Sequence, residues 1–214
     1  MSISTPKAIQ VLSDDEIKVL GFDNNRLQRV REKIINDIEL GSCHGVSMIA
    51  ARKGKVVLDI VEGYAHKENG EMLTSDSVFV TMSVAKQFTN VLALSLVEKG
   101  LLKLHAPVAE LIPEFATLGK EKVNLYHLLT HTSGIMSAVP PVAPEILANI
   151  EKLLDFACGL PLENQPGERV NYAILLGHSI IAALCLRAAG NGRSYAQMLS
   201  DEIFQPLGMI NTSL

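Results

Sequence analysis

Two β-rich runs constrain this chain more than any other feature. Residues 46–51 and 55–61 are separated only by Arg52, Lys53 and Gly54, a short turn with glycine where positive φ is needed, and so predict a hairpin. A hairpin alone is marginal in water, and a sheet needs roughly three or more strands with a covered face to persist. Residues 77–80 (SVFV) add at most a brief extended segment, and from Ser83 onward the patterning is helical. The two runs are rich in valine, isoleucine and leucine, and an uncovered edge of that kind invites association. The expectation is therefore an α+β fold whose remaining strands come from residues absent here or from another chain.

The helices can be read from apolar spacing and from their stop signals. Residues 24–40 carry Leu27, Val30, Ile34, Ile35 and Ile38 on one face, with Gly41 as the stop. Further helices are expected over 84–99, closed by Gly100, and over 125–131, closed by the Thr132-Ser133-Gly134 turn. Residues 145–158, 172–189 and 194–204 follow, punctuated by Gly159, Gly190 and the Pro206–Gly208 turn. The stretch 173–189 is interrupted by His178 and Arg187, and reads as a buried helix too short and too broken to span a bilayer.

Composition narrows the function classes. With 19 basic against 23 acidic residues the net charge is −4, which implies no basic surface for nucleic acid or anionic lipid. The three cysteines, Cys43, Cys158 and Cys185, form no C-x-x-C pair, so neither a disulfide framework nor a zinc knuckle is indicated. The N-terminal MSISTPKAIQVLSDDE lacks the apolar core of a secretory signal, and a cytoplasmic location is expected.

Ser83-Val84-Ala85-Lys86 is the candidate for chemistry, a serine opening a helix with a lysine one turn on. Residues at i and i+3 share a helix face, their Cβ atoms roughly 5–6 Å apart, so Lys86 can reach the Ser83 hydroxyl. A serine hydroxyl needs a base to become a nucleophile, and the helix N-terminus favours an oxyanion. The pattern S-x-x-K alone is weak, because Ser4-Thr5-Pro6-Lys7 matches it too, and on the pattern alone an ordinary N-cap serine beside a solvated lysine is the better explanation.

Other groupings favour structure over chemistry. Gly177-His178-Ser179 lacks the final glycine of a nucleophile elbow and has no preceding strand, so it reads as core helix. His127 and His131 have the i, i+4 spacing of zinc ligands, but Leu128 replaces the glutamate of H-E-x-x-H and no third ligand is evident. Cys43 lies in a loop before a strand. The methionines at 48, 72, 82, 136, 198 and 209 form no stripe and read as core filler.

Several segments taken together resemble the serine β-lactamase and penicillin-binding-protein superfamily, in its class C-like and esterase branch. They are GVSMIAARKGKVVLDIVEGYA, SVFVTMSVAKQFT, EKGLLKLHAPVAELIPEF, YHLLTHTSGI, QPGERVNYAILLGHSI and IFQPLGMINTSL, covering the chain from about Gly45 to its last residue. The resemblance implies a β-lactamase/transpeptidase-like fold, with an N-terminal extension over 1–22, an incomplete serine hydrolase domain over 23–214, and a helical part from about 83. It implies an acyl-enzyme on Ser83, with Lys86 and Tyr172 sharing the proton work and the Ser83 backbone N–H as an oxyanion donor. Tyr172 occupies the tyrosine of the family's Y-x-N motif.

Two departures stand out. Ile174 replaces that motif's asparagine, and the later strand carrying K-T-G or H-x-G, which supplies the second oxyanion donor, has no counterpart. The expected function is an esterase-like serine acyl hydrolase, with acyltransfer, β-lactam hydrolysis or a non-catalytic ligand-binding role as alternatives. The expected partner is a small-molecule ester or amide. No cofactor, metal, nucleic acid or membrane is expected.

Overall fold

The computed structural model describes residues 12–138 and 140–214. The copy of S-x-x-K at Ser4 lies outside them. The described residues form two compact units, one ending at Phe79 and one spanning Val80–Leu214.

The first unit opens with a helix the apolar spacing did not predict, α1 (Asp14–Val19). Its signal is local. Ser13 Oγ accepts from the Glu16 backbone N–H while the Glu16 carboxylate accepts from the Ser13 N–H at 2.9 Å, and three acidic residues sit against the positive end of the helix dipole. Helix α2 (Asn24–Glu39) follows from its Asp23 cap and buries Leu27. Strands β1 (Gly45–Arg52) and β2 (Lys55–His66) pair antiparallel. The turn between them places both Lys53 (φ 51°) and Gly54 (φ 73°) in the left-handed region, the two-residue form that matches strand twist.

The sheet has three strands in the order β1-β2-β3, the third being the short β3 (Glu71–Met72). The hairpin is thus less isolated than its sequence suggests, while residues 77–80 form no strand. Gly63 is held close to the chain it crosses, since a Cβ there would lie 2.4 Å from the His44 carbonyl. Ile17, Leu20, Leu27 and Val57 make a small core, whereas Ile49 on β1 is 60% exposed.

The second unit is helical. A 3-10 turn (Met82–Ala85) leads into α3 (Lys86–Glu98), whose inner side buries Thr89, Leu92, Ala93 and Leu96. Helix α4 (Leu125–Leu129) stops two residues before the expected His131, because Thr130 turns its hydroxyl back to the Tyr126 carbonyl and His131 itself is left-handed. The expected helix over 145–158 is two, α5 (Pro144–Leu147) and α6 (Ile150–Cys158). Asn149 causes the break: it adopts extended backbone and caps α6 through its side chain.

Helix α7 (Leu176–Ala189) is the centre of the unit, with nine of its residues buried, and packs on α3, α4 and α6. It begins at Leu176 rather than Tyr172. Helix α8 (Tyr195–Leu199), capped by a Ser194–Gln197 box, widens into a π-type turn over Ser200–Phe204. Leu96, Ile112, Phe115, Leu128, Leu154, Ile180 and Ile181 form the continuous core. Of the methionines read as filler, Met198 is fully buried, while Met72 and Met82 are exposed. No described helix is long and apolar enough to cross a membrane, and the three cysteines are unpaired.

Candidate active site

Ser83, Lys86 and Tyr172 meet in the second unit. Lys86 Nζ donates to Ser83 Oγ at 3.3 Å and Tyr172 donates its hydroxyl to the same oxygen at 2.9 Å. The Lys86 ammonium also stands over the Tyr172 ring, 5.3 Å from its centre. Ser83 does not open an α-helix as the sequence suggested; it lies inside the 3-10 turn, and Lys86 is the first residue of α3. Three residues per turn make i and i+3 eclipse, which brings the amine over the hydroxyl more directly than an α-helix would. Met82, just before the serine, is left-handed (φ 46°), a strained conformation for a long side chain and of the kind that gathers at functional sites.

Tyr172 is delivered by a different device. It sits in the irregular segment before α7, not on a helix, and that segment is pinned to residues 131–134 through backbone bonds. Asn171 N–H donates to the His131 carbonyl at 2.7 Å, Gly167 N–H to the Thr132 carbonyl at 2.7 Å, and Glu163 N–H to the Gly134 carbonyl at 2.8 Å. The Asn171 side chain also bonds the Glu163 carboxylate. Gly134 is required here: its φ is 75° and a Cβ would fall 2.0 Å from the Asn164 carbonyl oxygen.

Two histidines extend the cluster, His131 and His178, for which the zinc-ligand spacing and the elbow-like pattern suggest only structural roles. The His131 ring lies 4.7 Å from Tyr172, and His178 stacks 5.5 Å from His131 while bonding Asn90 through Nε2 at 2.9 Å. His178 Nδ1 is buried without a partner. Ser179, its neighbour in the apparent elbow motif, gives its hydroxyl to the Leu175 carbonyl inside the helix.

The electrostatics follow from these neighbours. Hydrogen bonds that Ser83 and then Lys86 can donate to the phenolate, together with the Lys86 charge, hold the phenol below its usual pKa. Burial, followed by the Lys86 charge, depresses His131. Burial first, then His131 and Lys86, takes His178 down to about 4. Both rings are therefore neutral at pH 7. Among the described residues, no group of His, Cys, Asp and Glu is placed to hold a metal ion.

A cavity of about 580 Å³ adjoins the triad, with Met82, Lys86, Leu147, Ile150, Leu153 and Ile174 in its wall. A smaller one of about 150 Å³, bounded by Leu101, Lys103, Pro107 and Leu111, contains none of the three residues and no nucleophile.

The Beta-lactamase family profile matches residues 30–214. Esterase EstB of Burkholderia gladioli is 31% identical over 182 residues, 77% of this chain and 45% of that protein. Penicillin-binding protein 4 of Amycolatopsis lactamdurans is 30% identical over 154 residues, 71% of this chain and 40% of that protein. Among solved structures, a family VIII carboxylesterase superposes with a TM-score of 0.76 at 26% identity, over 86% of this chain and 50% of that one. The chain thus spans about half the length or less of these relatives, and over that span it shares their β-lactamase/transpeptidase-like fold. On the profile match and the esterase and penicillin-binding relatives together, the chain belongs to the Beta-lactamase family.

Proposed function

We propose that this protein is an esterase-like serine acyl hydrolase working through an acyl-enzyme on Ser83. The observation that carries the reading is the double contact to one oxygen, with Lys86 Nζ and Tyr172 OH both within hydrogen-bond reach of Ser83 Oγ. Ser83 Oγ attacks the ester carbonyl carbon while its proton passes to the Tyr172 oxygen, acting as the phenolate that the Lys86 ammonium favours. The Ser83 backbone N–H, at the start of a helical run, donates to the developing oxyanion. The carbon–alkoxide bond then breaks, and the pair returns the proton to the leaving alcohol. Water attacks the acyl-enzyme, gives a proton to the same pair, and releases the carboxylic acid as Ser83 recovers its hydrogen.

Ile174 favours an ester over a β-lactam substrate. It stands 62% exposed in the wall of the adjoining cavity and offers no hydrogen bond to an amide side chain. The test combines p-nitrophenyl acetate turnover with labelling by a fluorophosphonate, which places phosphorus on the serine oxygen and expels fluoride. Mass spectrometry is expected to find the adduct on Ser83, and Ser83→Ala to abolish both turnover and labelling. Folded protein that takes no label on Ser83 overturns the reading.

A further inference from the structure

The wall of the cavity beside the triad has a composition that selects its occupant. Met82 and Lys86, on either side of the nucleophile in sequence, border it, as does Ile174, two residues beyond Tyr172. Lys86 lies in the wall with its Nζ 3.3 Å from Ser83 Oγ, so a group bonded to Ser83 Oγ can extend into the space. Exposure falls along the cavity: Ile174 and Leu147 at the rim are 62% and 47% exposed, while Leu153, Ala182 and Leu199 are buried.

Most polar atoms of the wall are already engaged with the protein, and His178 Nδ1, which has no partner, is itself buried. Thr89 Oγ1 and Tyr195 OH bond each other at 2.6 Å, Ser179 Oγ bonds the Leu175 carbonyl, Asn149 Oδ1 accepts from the Lys152 N–H, and His178 Nε2 is held by Asn90. No aspartate, glutamate or arginine lines the space, and its one cation, Lys86, is committed to Ser83 at the mouth. A polyhydroxylated or charged group entering it would lose water and find few partners, which costs free energy. An aliphatic chain would leave no polar group unpaired.

We infer that this cavity receives the acyl chain of the ester, and that the acyl donors are aliphatic, long enough to pass the rim and reach the buried floor. The inference rests on the acyl transfer at Ser83 described above and adds the class of acyl group. About 580 Å³ lies within the range of roughly 300–1,000 Å³ that holds drug-sized ligands, far more than an acetyl group fills. Each methylene moved fully from water into such a space is worth about fourfold in kcat/KM. With half of that realised in an open groove, an octanoyl ester exceeds an acetyl ester by roughly 60-fold.

The experiment compares p-nitrophenyl acetate, butyrate and octanoate on the 214-residue protein, alongside ethyl and octyl fluorophosphonates with the Ser83 adduct read by mass. The expected result is a rise in kcat/KM and in labelling rate with chain length. Ala148→Phe, which fills the cavity from an exposed position, is expected to lower the octanoate-to-acetate ratio roughly tenfold. Ser83 acylated with no dependence on chain length overturns the cavity assignment and leaves the esterase reading standing. Folded protein with no adduct from any probe overturns the esterase reading, and methyl NMR with added octanoate then decides the cavity separately. Shifts at Ile174, Leu153 and Leu199 uphold it as a site for aliphatic chains, and unmoved resonances refute it.

Discussion

Lowering the pH from 7 to 5 is expected to cost this protein about 1–2 kcal/mol of stability through one side chain, His178. In the folded protein the residue is 8% exposed, its ring tilted against that of His131 and within the field of Lys86, and its pKa falls from 6.5 to about 4. An unfolded chain takes up the proton as pH drops below 6.5, while the folded ring stays neutral until about 4. Between those values the unfolded state binds more protons, so stability falls with acidification. At pH 5 the unfolded imidazole is about 1.5 units below its pKa, worth about 2 kcal/mol at 1.36 kcal/mol per unit, and solvent reaching the ring edge trims this. Geometry adds to the penalty. With the Nε2 proton given to Asn90 Oδ1, Nδ1 is a lone pair, and protonating it creates a buried donor with no acceptor.

The assay is urea unfolding at pH 7, 6 and 5 for the native protein and for His178→Gln, with hydrogen exchange of α7 amides as the local readout. Glutamine keeps an amide that can bond Asn90 but cannot be protonated. His131 shifts in the same direction, from burial and then Lys86, so the native protein loses stability from both rings and the variant isolates the share of His178. The expected outcome is a native curve that falls about 1–2 kcal/mol more than the variant's between pH 7 and 5. Parallel curves would refute the placement of His178 as a buried neutral ring.

Three further perturbations test other parts of the structure. Tyr172→Phe removes the hydroxyl that bonds Ser83 and is expected to lower kcat for ester hydrolysis by roughly 10²–10⁴ without changing the melting temperature; an unchanged kcat rejects Tyr172 as the proton carrier. Lys120, fully buried, caps the end of α6 by donating to the Cys158 carbonyl at 3.1 Å and the Leu160 carbonyl at 2.5 Å. Burial lowers its pKa, so part of the gain from those bonds is already lost to desolvation. Lys120→Met then loses two charge-assisted bonds but recovers that penalty, for a net loss of about 2 kcal/mol in chemical denaturation; equal or greater stability would count against the cap. Gly134→Ala forces a left-handed alanine into the Asn164 carbonyl and is expected to cost at least about 2 kcal/mol and to loosen Tyr172, seen as a lower kcat at low temperature where the protein stays folded.

Local signals carried most of the fold. Helix α2 and the β1–β2 hairpin are legible because their apolar spacing, the stop at Gly41 and the turn at Gly54 act within a few positions of one another. Where the sequence misleads, the cause is a side chain or a distant backbone that outbids propensity. Asn149 has helical neighbours on both sides, but its amide caps α6 better than it continues α5. Residues 172–175 have the apolar pattern of α7, but their backbone leaves the helix so that Asn171 can reach the His131 carbonyl 40 positions earlier. Helix α1 and its C-cap offer only Ile17, Val19 and Leu20 as apolar signal, with Val19 exposed, and the capping box is the better guide.

The candidate site divides in the same way. The Ser83–Lys86 contact follows from spacing alone, whereas Tyr172 could be placed there only by resemblance, since nothing in its own neighbourhood says which residue it will meet. The structure gives a physical reason why the segment Thr130-His131-Thr132-Ser133-Gly134 accompanies such a tyrosine. Its side chains are a histidine and three hydroxyls, and the hydroxyls bond one another or nearby backbone. Yet the carbonyls of residues 131, 132 and 134 are what hold the tyrosine segment, and they can face it only because His131 is left-handed and Gly134 has no Cβ. Side-chain identity in that segment thus matters for the backbone shape it permits. The His131 ring gains its position against Tyr172 from that shape, which makes it a consequence of the clamp and at the same time the wall that keeps the phenol turned toward Ser83.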